Sequence, residues 1–298
     1  MIYELAPTQF GVIAPLAEGV WTDRALIDSV AEGTRDARVF VDDAEQPRAA
    51  FLCVREGDYY LLGDPSPSPL RQFIKDTPGE AEVFNQIFAY FLPQAGWQEA
   101  LAEDSEGAIE FFKVRAFRFL KRTIAPLEVW QKEARADVTV QQINEHLLRG
   151  VDEGRIHTNH EFSREHLEMI AGERFGFCVV VEGEVASVAW AYATSSRFSS
   201  LFIDTAEPFR RQGLATLACA AFIDYSLAHG MEPLWACLDS NLASAATALK
   251  LGFEEVAGRI ESAWEPHGRN FKGPMGLWVK QEGGGSSPPG TTVWERKK

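Results

Sequence analysis

Residues Ser199–Thr216 read SSLFIDTAEPFRRQGLAT and hold the densest set of groups able to do chemistry. A short strand runs into a tight loop, and a helix opens on Arg210, Arg211, Gln212, Gly213, Leu214 and Ala215. Gly213 has no Cβ, so the backbone can turn sharply there and a bulky ligand can come close. The first turn of a helix leaves its N–H groups without partners, and the helix dipole adds partial positive charge. Arg210 and Arg211 add full charge. The chemistry on offer is capture of a phosphate or pyrophosphate. The competing account is an ordinary strand, turn and helix with two surface arginines, since a short Gly-containing motif is only a hypothesis.

Several elements must position this cradle. The helix from Arg211 to about His229 carries Leu214, Leu217, Ala218, Ala221, Phe222 and Tyr225 on a broad apolar face, and Gly230 ends it. Phe175–Val181 and Val185–Ala193 read as a strand pair around the turn EGE. Pro233–Leu238 reads as a short strand. Asn241 then caps a helix over Leu242–Leu251 that stops at Gly252. Glu255–Trp264 and Met275–Lys280 are two more strands. Upstream, Val138–Val151 and Ser163–Ala171 read as helices capped by Thr139 and Ser163, with the polar segment DEGRIHTNHEF between them.

The first 125 residues are organised differently. Residues 1 to about 37 look mostly helical, with Thr22 and Asp23 as caps for a helix ended by Gly33. Strand-like runs follow at Arg38–Asp42, Arg48–Arg55 and Tyr59–Gly63. DPSPSP then breaks regular structure. Glu80–Leu92 has helical spacing, and Ile109–Leu120 reads as one or two strands. A boundary falls near Ala125–Pro126. The reading is therefore an N-terminal α/β domain over 1–125, a second domain over 126–280, and a Gly-, Pro- and Ser-rich flexible tail over 281–298. Val39–Asp64 and Val179–Asp204 share one pattern of strand, acidic turn, strand, polar turn, strand. Two accounts stand: a tandem duplication whose first half has lost the cradle, or two meanders alike by chance.

The chain has 298 residues and a formal net charge of −14, which argues against nucleic acid or an anionic membrane as partner. No apolar run approaches the ~20 residues needed to span a bilayer. The N-terminus lacks the basic and apolar regions of a signal peptide. Cys53, Cys178, Cys219 and Cys237 are widely separated among apolar neighbours, so buried reduced thiols and a cytoplasmic location are expected.

The segment from Phe177 to Phe253 resembles the GNAT superfamily of acetyl-CoA-dependent N-acetyltransferases. That superfamily carries an Arg/Gln-x-x-Gly-x-Gly/Ala signature, and Arg210, Gly213 and Ala215 stand at its defined positions. Further on, LWACLDSNLASAATALKLGFE matches a second signature, with Asn241, Ser244, Gly252 and Phe253 in place. The resemblance extends from roughly Ala134 to Lys280. RRQGLAT, NLAS and KLGF are most like the subgroup that includes the zwittermicin-resistance acetyltransferases. The resemblance implies a mixed, mostly antiparallel α/β sheet flanked by helices, with the N-terminal domain as a degenerate GNAT-like half if the duplication account holds. It implies that backbone N–H groups of Arg211, Gln212, Gly213, Leu214, Ala215 and Thr216 hold the coenzyme A pyrophosphate. The pantetheine arm would lie along the backbone of Ile203 and Thr205, with Asn241 as a further contact or simply a cap.

The implied reaction is direct attack of a primary amine of a small molecule on acetyl-CoA in a ternary complex, with no catalytic cysteine and no metal. A protein acetyltransferase and a non-catalytic acyl-CoA-binding module are the alternatives. Some superfamily members carry a glutamate early in the fourth strand, where this chain has Ser199 and Ser200. Asp204 is the nearest candidate base on that strand, and Asp239 the second. Many members place a tyrosine four residues before the Gly of Gly-Phe, where this chain has Ala248. His157, His160, Glu161 and His166 are candidates to line the acceptor site, and HxxH here lacks the spacing of a zinc site.

Overall fold

The computed structural model describes residues 1–54, 58–66, 68–76, 89–92, 96–104, 110–119, 137–256, 260–264, 278–281 and 291–296. In chain order the elements are β1 (Ile2–Glu4), α1 (Arg24–Ala31), β2 (Ala37–Val41), β3 (Ala49–Val54), β4 (Asp58–Gly63), α2 (Ser68–Asp76), β5 (Ala89–Leu92), α3 (Trp97–Asp104) and β6 (Glu110–Phe119). They continue with β7 (Val138–Gln142), α4 (Glu145–Asp152), α5 (Arg164–Glu173), β8 (Gly176–Val181), β9 (Glu184–Thr194), β10 (Phe198–Thr205), α6 (Leu214–Ala228), β11 (Glu232–Leu238) and α7 (Leu242–Lys250). The last are β12 (Phe253–Glu255), β13 (Ile260–Trp264), β14 (Trp278–Gln281) and β15 (Thr292–Arg296). By compactness the chain forms one unit from residues 1–115 and 257–298 and a second from residues 116–256. The expected boundary at Ala125–Pro126 lies outside the described residues, and the observed division falls within β6, between Arg115 and Ala116.

The second unit is a mixed α/β layer structure. Its sheet runs β7-β8-β9-β10-β11-β6, with β12 also paired to residues 117–119 of β6. β7 to β10 are antiparallel neighbours, and β10 and β11 are parallel. α6 supplies Leu214, Leu217, Ala218, Phe222 and Ile223 to a core on one face, against Val179, Ala189, Ala191 and Leu201. Leu147, Leu148, Leu167 and Ile170 of α4 and α5 cover the other face against Cys178, Val180, Val188 and Trp190. Alternation along β8 and β9 sends side chains to both layers, which is why these strands read as continuous apolar runs.

The first unit repeats part of this scheme. β2, β3 and β4 form an antiparallel meander, and β4 pairs in parallel with β5 through Asp58, Tyr59 and Tyr60. Its core joins Phe40, Phe51, Leu61, Phe73, Trp97 and Leu101. Trp97 is buried and donates its indole N–H to the Gly63 carbonyl at 3.0 Å, at the end of β4. Gly63 sits at φ +78°, and a Cβ there would come within 2.1 Å of the Arg48 carbonyl oxygen. No other residue fits that turn without backbone movement.

Several sequence expectations are corrected. Val138–Gln142 is a strand, because Val138 and Val140 alternate onto the α6-side core; the helix starts after Asn144, whose side chain accepts from the His146 and Leu147 amides. Thr139 is therefore no cap, whereas Ser163 caps α5 by accepting from the His166 amide. Ile2–Glu4 is a strand rather than helix, seated between β2 and β15. Ala89–Leu92 is a strand, and residues 80–88 of the expected helix lie outside the described residues. The tail is ordered at Thr292–Arg296. Trp294 packs near Phe73 with ring centroids 6.3 Å apart and donates its indole N–H to Glu4 Oε2 at 3.0 Å, while Val293 is buried. Three good strand formers outweigh the Gly- and Pro-rich composition around them.

Truncation after Gly290 should lower the thermal midpoint clearly, since it strips β1 of a neighbour and bares the first unit's core. An unchanged melting curve by circular dichroism would contradict this role for β15.

Candidate functional site

The site begins where two strands part. β10 is paired with β9 along its length but with β11 only at Phe198, Ser199 and Ser200. The β9 register shifts opposite Ser200 and Leu201, with Tyr192 as the extra residue. Such a bulge bends the strand and adds twist. At the end of β10 the Ala206 amide donates to the Ala186 carbonyl at 3.0 Å, on the β9 side. Alternation therefore turns the backbone groups of Asp204 toward β9 and those of Ile203 and Thr205 toward the open gap. Ile203 and Thr205 thus lie on the free edge where the sequence placed an extended ligand arm.

The cradle follows this edge. A short 3-10 turn at Glu207–Phe209 leads to Arg211 at φ 64° and Gly213 at φ 80°, both left-handed, and α6 starts at Leu214 rather than at Arg211. A Cβ built on Gly213 would meet no atom within 4 Å. The space before the loop is open, and the conformation rather than crowding favours glycine. Helix geometry leaves the first amides of α6 without intrahelical acceptors. The Thr216 amide is different: it donates to the Gly213 carbonyl at 3.0 Å, closing the first tight turn. Thr216 is thus corrected from an anion-holding amide to a turn-closing one. Arg210 is exposed, and its Nε donates to the Thr205 carbonyl at 2.9 Å, bracing the strand end beside the cradle. Gln212 donates from Nε2 to the Pro208 carbonyl at 3.3 Å, tying the loop to itself. Arg211 is exposed.

Asn241 stands beyond the end of β11. Its Oδ1 accepts from the Ser244 amide at 3.1 Å, so it caps α7 as expected. Trp235 locks the same corner by donating its indole N–H to Ser244 Oγ at 2.9 Å. The two candidate bases sit at the ends of the two parted strands, Asp204 on β10 and Asp239 just past β11. Asp204 is exposed, and its Oδ1 accepts from the Thr205 amide at 2.7 Å. Thr205 therefore has its amide covered by Asp204 and its carbonyl by Arg210.

Ser199 is wholly buried and donates to Ser226 Oγ at 2.9 Å, linking β10 to α6. It is a packing contact and no base. Ala248, on α7, is fully buried in the core, which leaves no room for a tyrosine there. Tyr225 stacks on His229 at 3.9 Å, eleven residues into α6 and about 16 Å from the cradle along the helix axis. It does not reach the cradle.

The segment between α4 and α5 is pinned at three places. The His157 amide donates to the Gly183 carbonyl at 2.7 Å. Asn159 Nδ2 donates to the Val185 carbonyl at 2.8 Å. Arg164 bridges Asp152 and Glu168, each at 2.6 Å, and holds the Asp152 carboxyl below the usual carboxylate range. Glu161 Oε1 accepts from the Glu207 amide at 3.3 Å, which brings this segment to the end of β10. His166 lies edge-on to the Trp190 ring at 5.0 Å. Among the described residues no group of three or more His, Cys, Asp and Glu side chains is arranged to hold a metal ion.

A family model described as GNAT acetyltransferase matches residues 15–258. The chain belongs to that family. A Bacillus subtilis strain 168 protein described as an uncharacterized N-acetyltransferase, YdfB, is 24% identical over 235 residues, covering 76% of this chain and 85% of that one. A crystal structure of a GCN5-related N-acetyltransferase-like protein from Streptococcus suis 89/1591 superposes with a TM-score of 0.61 at 23% identity, over 87% of this chain and 100% of the other. A tandem GNAT protein from the clavulanic acid biosynthesis pathway superposes with a TM-score of 0.54 at 14% identity, over 89% and 97%. These structural likenesses speak for the fold.

The chain is accordingly a GNAT acyltransferase, and acetyl-CoA is the co-substrate of its family. The residues present fit that group. Unpartnered amides at the start of α6, open space before Gly213 and the free backbone edge of Ile203 lie in sequence along one path. No described helix is long and apolar enough to cross a membrane. Sequence reasoning missed the aromatic pair Trp190–Phe202, whose rings lie 4.3 Å apart on neighbouring strands.

Burial pushes the Cys178 thiol up to about 12 and the Cys219 thiol well above its ordinary value. Neither is a nucleophile at neutral pH. Iodoacetamide at pH 8 should label at most Cys53 and Cys237 in the native protein by mass spectrometry. Labelling of all four without denaturant would contradict this.

Proposed function

We propose that this GNAT enzyme moves the acetyl group of acetyl-CoA to a primary amine of a small molecule, by direct attack in a ternary complex. The observation that carries the reading is the continuous path from the free edge of β10 to the unpartnered amides before α6. Bound along it, acetyl-CoA supplies an activated acetyl thioester. The amine nitrogen forms the new N–C bond, the C–S bond breaks, and the sulfur takes the electron pair. Amides facing the gap are placed to steady charge on the carbonyl oxygen. Asp204, with its second carboxylate oxygen turned to solvent, takes the ammonium proton directly or through water. Asp239 is the second candidate. Buried, protonated Cys178 and Cys219 speak against an acyl-enzyme.

The finer resemblance to the zwittermicin-resistance subgroup rests on RRQGLAT, NLAS and KLGF and is kept here as part of the proposal. So is the reading of the first unit as a degenerate half, supported by its matching meander and by Trp97 lying where β4 ends. One observation favours a second reading, a non-catalytic acyl-CoA-binding module: the strand glutamate position is a buried serine pair and the tyrosine position a buried alanine.

Calorimetry should find one acetyl-CoA bound per chain, and Gly213→Glu should abolish binding by filling the open space with negative charge. A thiol-release assay across amines should then find turnover, with Asp204→Asn lowering kcat by about 10²-fold or more. Binding without turnover of any amine supports the module; no binding by the wild type sinks both readings.

A further inference from the structure

We propose that the acceptor is a primary amine carried on an aromatic body, seated on Phe202 and Trp190; this rests on the acetyl-transfer reading above. Alternation along β10 puts Phe202 and Asp204 on the sheet face that carries α4 and α5, opposite Leu201 and Ile203, which pack toward α6. On that face the Phe202 ring lies 4.3 Å from the Trp190 ring at an interplanar angle of 37°. His166 backs Trp190 edge-on. Trp190 is 8% exposed and Phe202 46% exposed, so the pair is anchored in the core on one side and bare on the other. Across the gap, Leu234 is in register with Ser200, and alternation carries the same face of β11 on to Leu238, which is 47% exposed. Both arms of the opening therefore show bare apolar side chains on one face, at the level where the strands part.

The chemistry of the rim selects among amines. Asp204 follows Phe202 by two residues on the same face, and Glu161 is held to the end of β10 through the Glu207 amide. Beside them, Arg210 donates to the Thr205 carbonyl, and the His160 ring nitrogen stands 3.1 Å from Glu161 Oε2. An ammonium group meets carboxylates and a ring face together. A flat apolar body covers the exposed ring at little conformational cost. A polyamine or a lysine side chain satisfies the acidic rim but leaves the rings in water, forfeiting the burial that this face offers. An aromatic amine uses both features.

The test is calorimetric titration of 2-phenylethylamine, n-propylamine and spermidine into the CoA-saturated full chain, wild type and Phe202→Ala. The aromatic amine should bind the wild type at least about tenfold more tightly than n-propylamine. Phe202→Ala should erase about tenfold of that affinity. The variant should keep the acetyl-CoA-induced rise in thermal midpoint, since Phe202 points away from the α6 side. Equal affinity for the two monoamines, or a Phe202→Ala variant that binds 2-phenylethylamine as wild type does, overturns the proposal. A retained acetyl-CoA shift with spermidine alone bound overturns the aromatic acceptor and leaves acetyl transfer standing. No acetyl-CoA shift in the wild type overturns the underlying reading first.

Discussion

The separation of β10 from β11 after three residue pairs is the constraint on which the rest of the site depends. A strand inside a sheet has both edges satisfied. Here the outer edge of Ile203 and Thr205 is released into a gap, while the inner edge stays bonded to β9. The Ile203 edge, next to the first amides of a helix start, makes a single ribbon of donors and acceptors. That ribbon suits a ligand with an extended amide-bearing arm and a pyrophosphate end. The bulge at Tyr192 and the buried Ser199–Ser226 link lie at the level where the strands part.

The first unit shows what happens when a comparable edge is satisfied internally. β4 also pairs in parallel for three residues, with β5. The carbonyl of Gly63 accepts from Trp97, and the following Asp64 turns its carboxylate onto Ser66. DPSPSP supplies no run of free amides, because proline has no N–H to offer. The two halves thus differ in whether the groups near the strand end are left for a ligand or used by the chain.

Much of this was legible in the sequence, for reasons that can be stated. The meander, the Gly213 loop and the Asn241 cap are local features, set by alternation, by left-handed glycine and by side-chain capping. What could not be read was long-range. Val138–Gln142 looked helical because its apolar spacing fits either period, and only the neighbouring β8 decides. Thr292–Arg296 looked loose because its partner is Ile2–Glu4, at the far end of the chain. Trp190 and Phe202 meet only once β9 and β10 are in register. Arg210 was legible as a cation near the cradle, but not as a brace on Thr205.

That brace bears on the base role proposed for Asp204. At Thr205 the amide is covered by the Asp204 carboxylate and the carbonyl by Arg210. These are the groups that an extended arm lying along the edge would itself engage. A ligand donor at the carbonyl competes with Arg210, and a ligand acceptor at the amide competes with Asp204. Both contacts are at the protein surface, where exchanging one hydrogen bond for another costs little net free energy. On the proposed acetyl-transfer reading, an arm seated along this edge exchanges its own groups for these two contacts, which turns Arg210 toward the cradle and leaves both Asp204 oxygens open on the face where Phe202 stands.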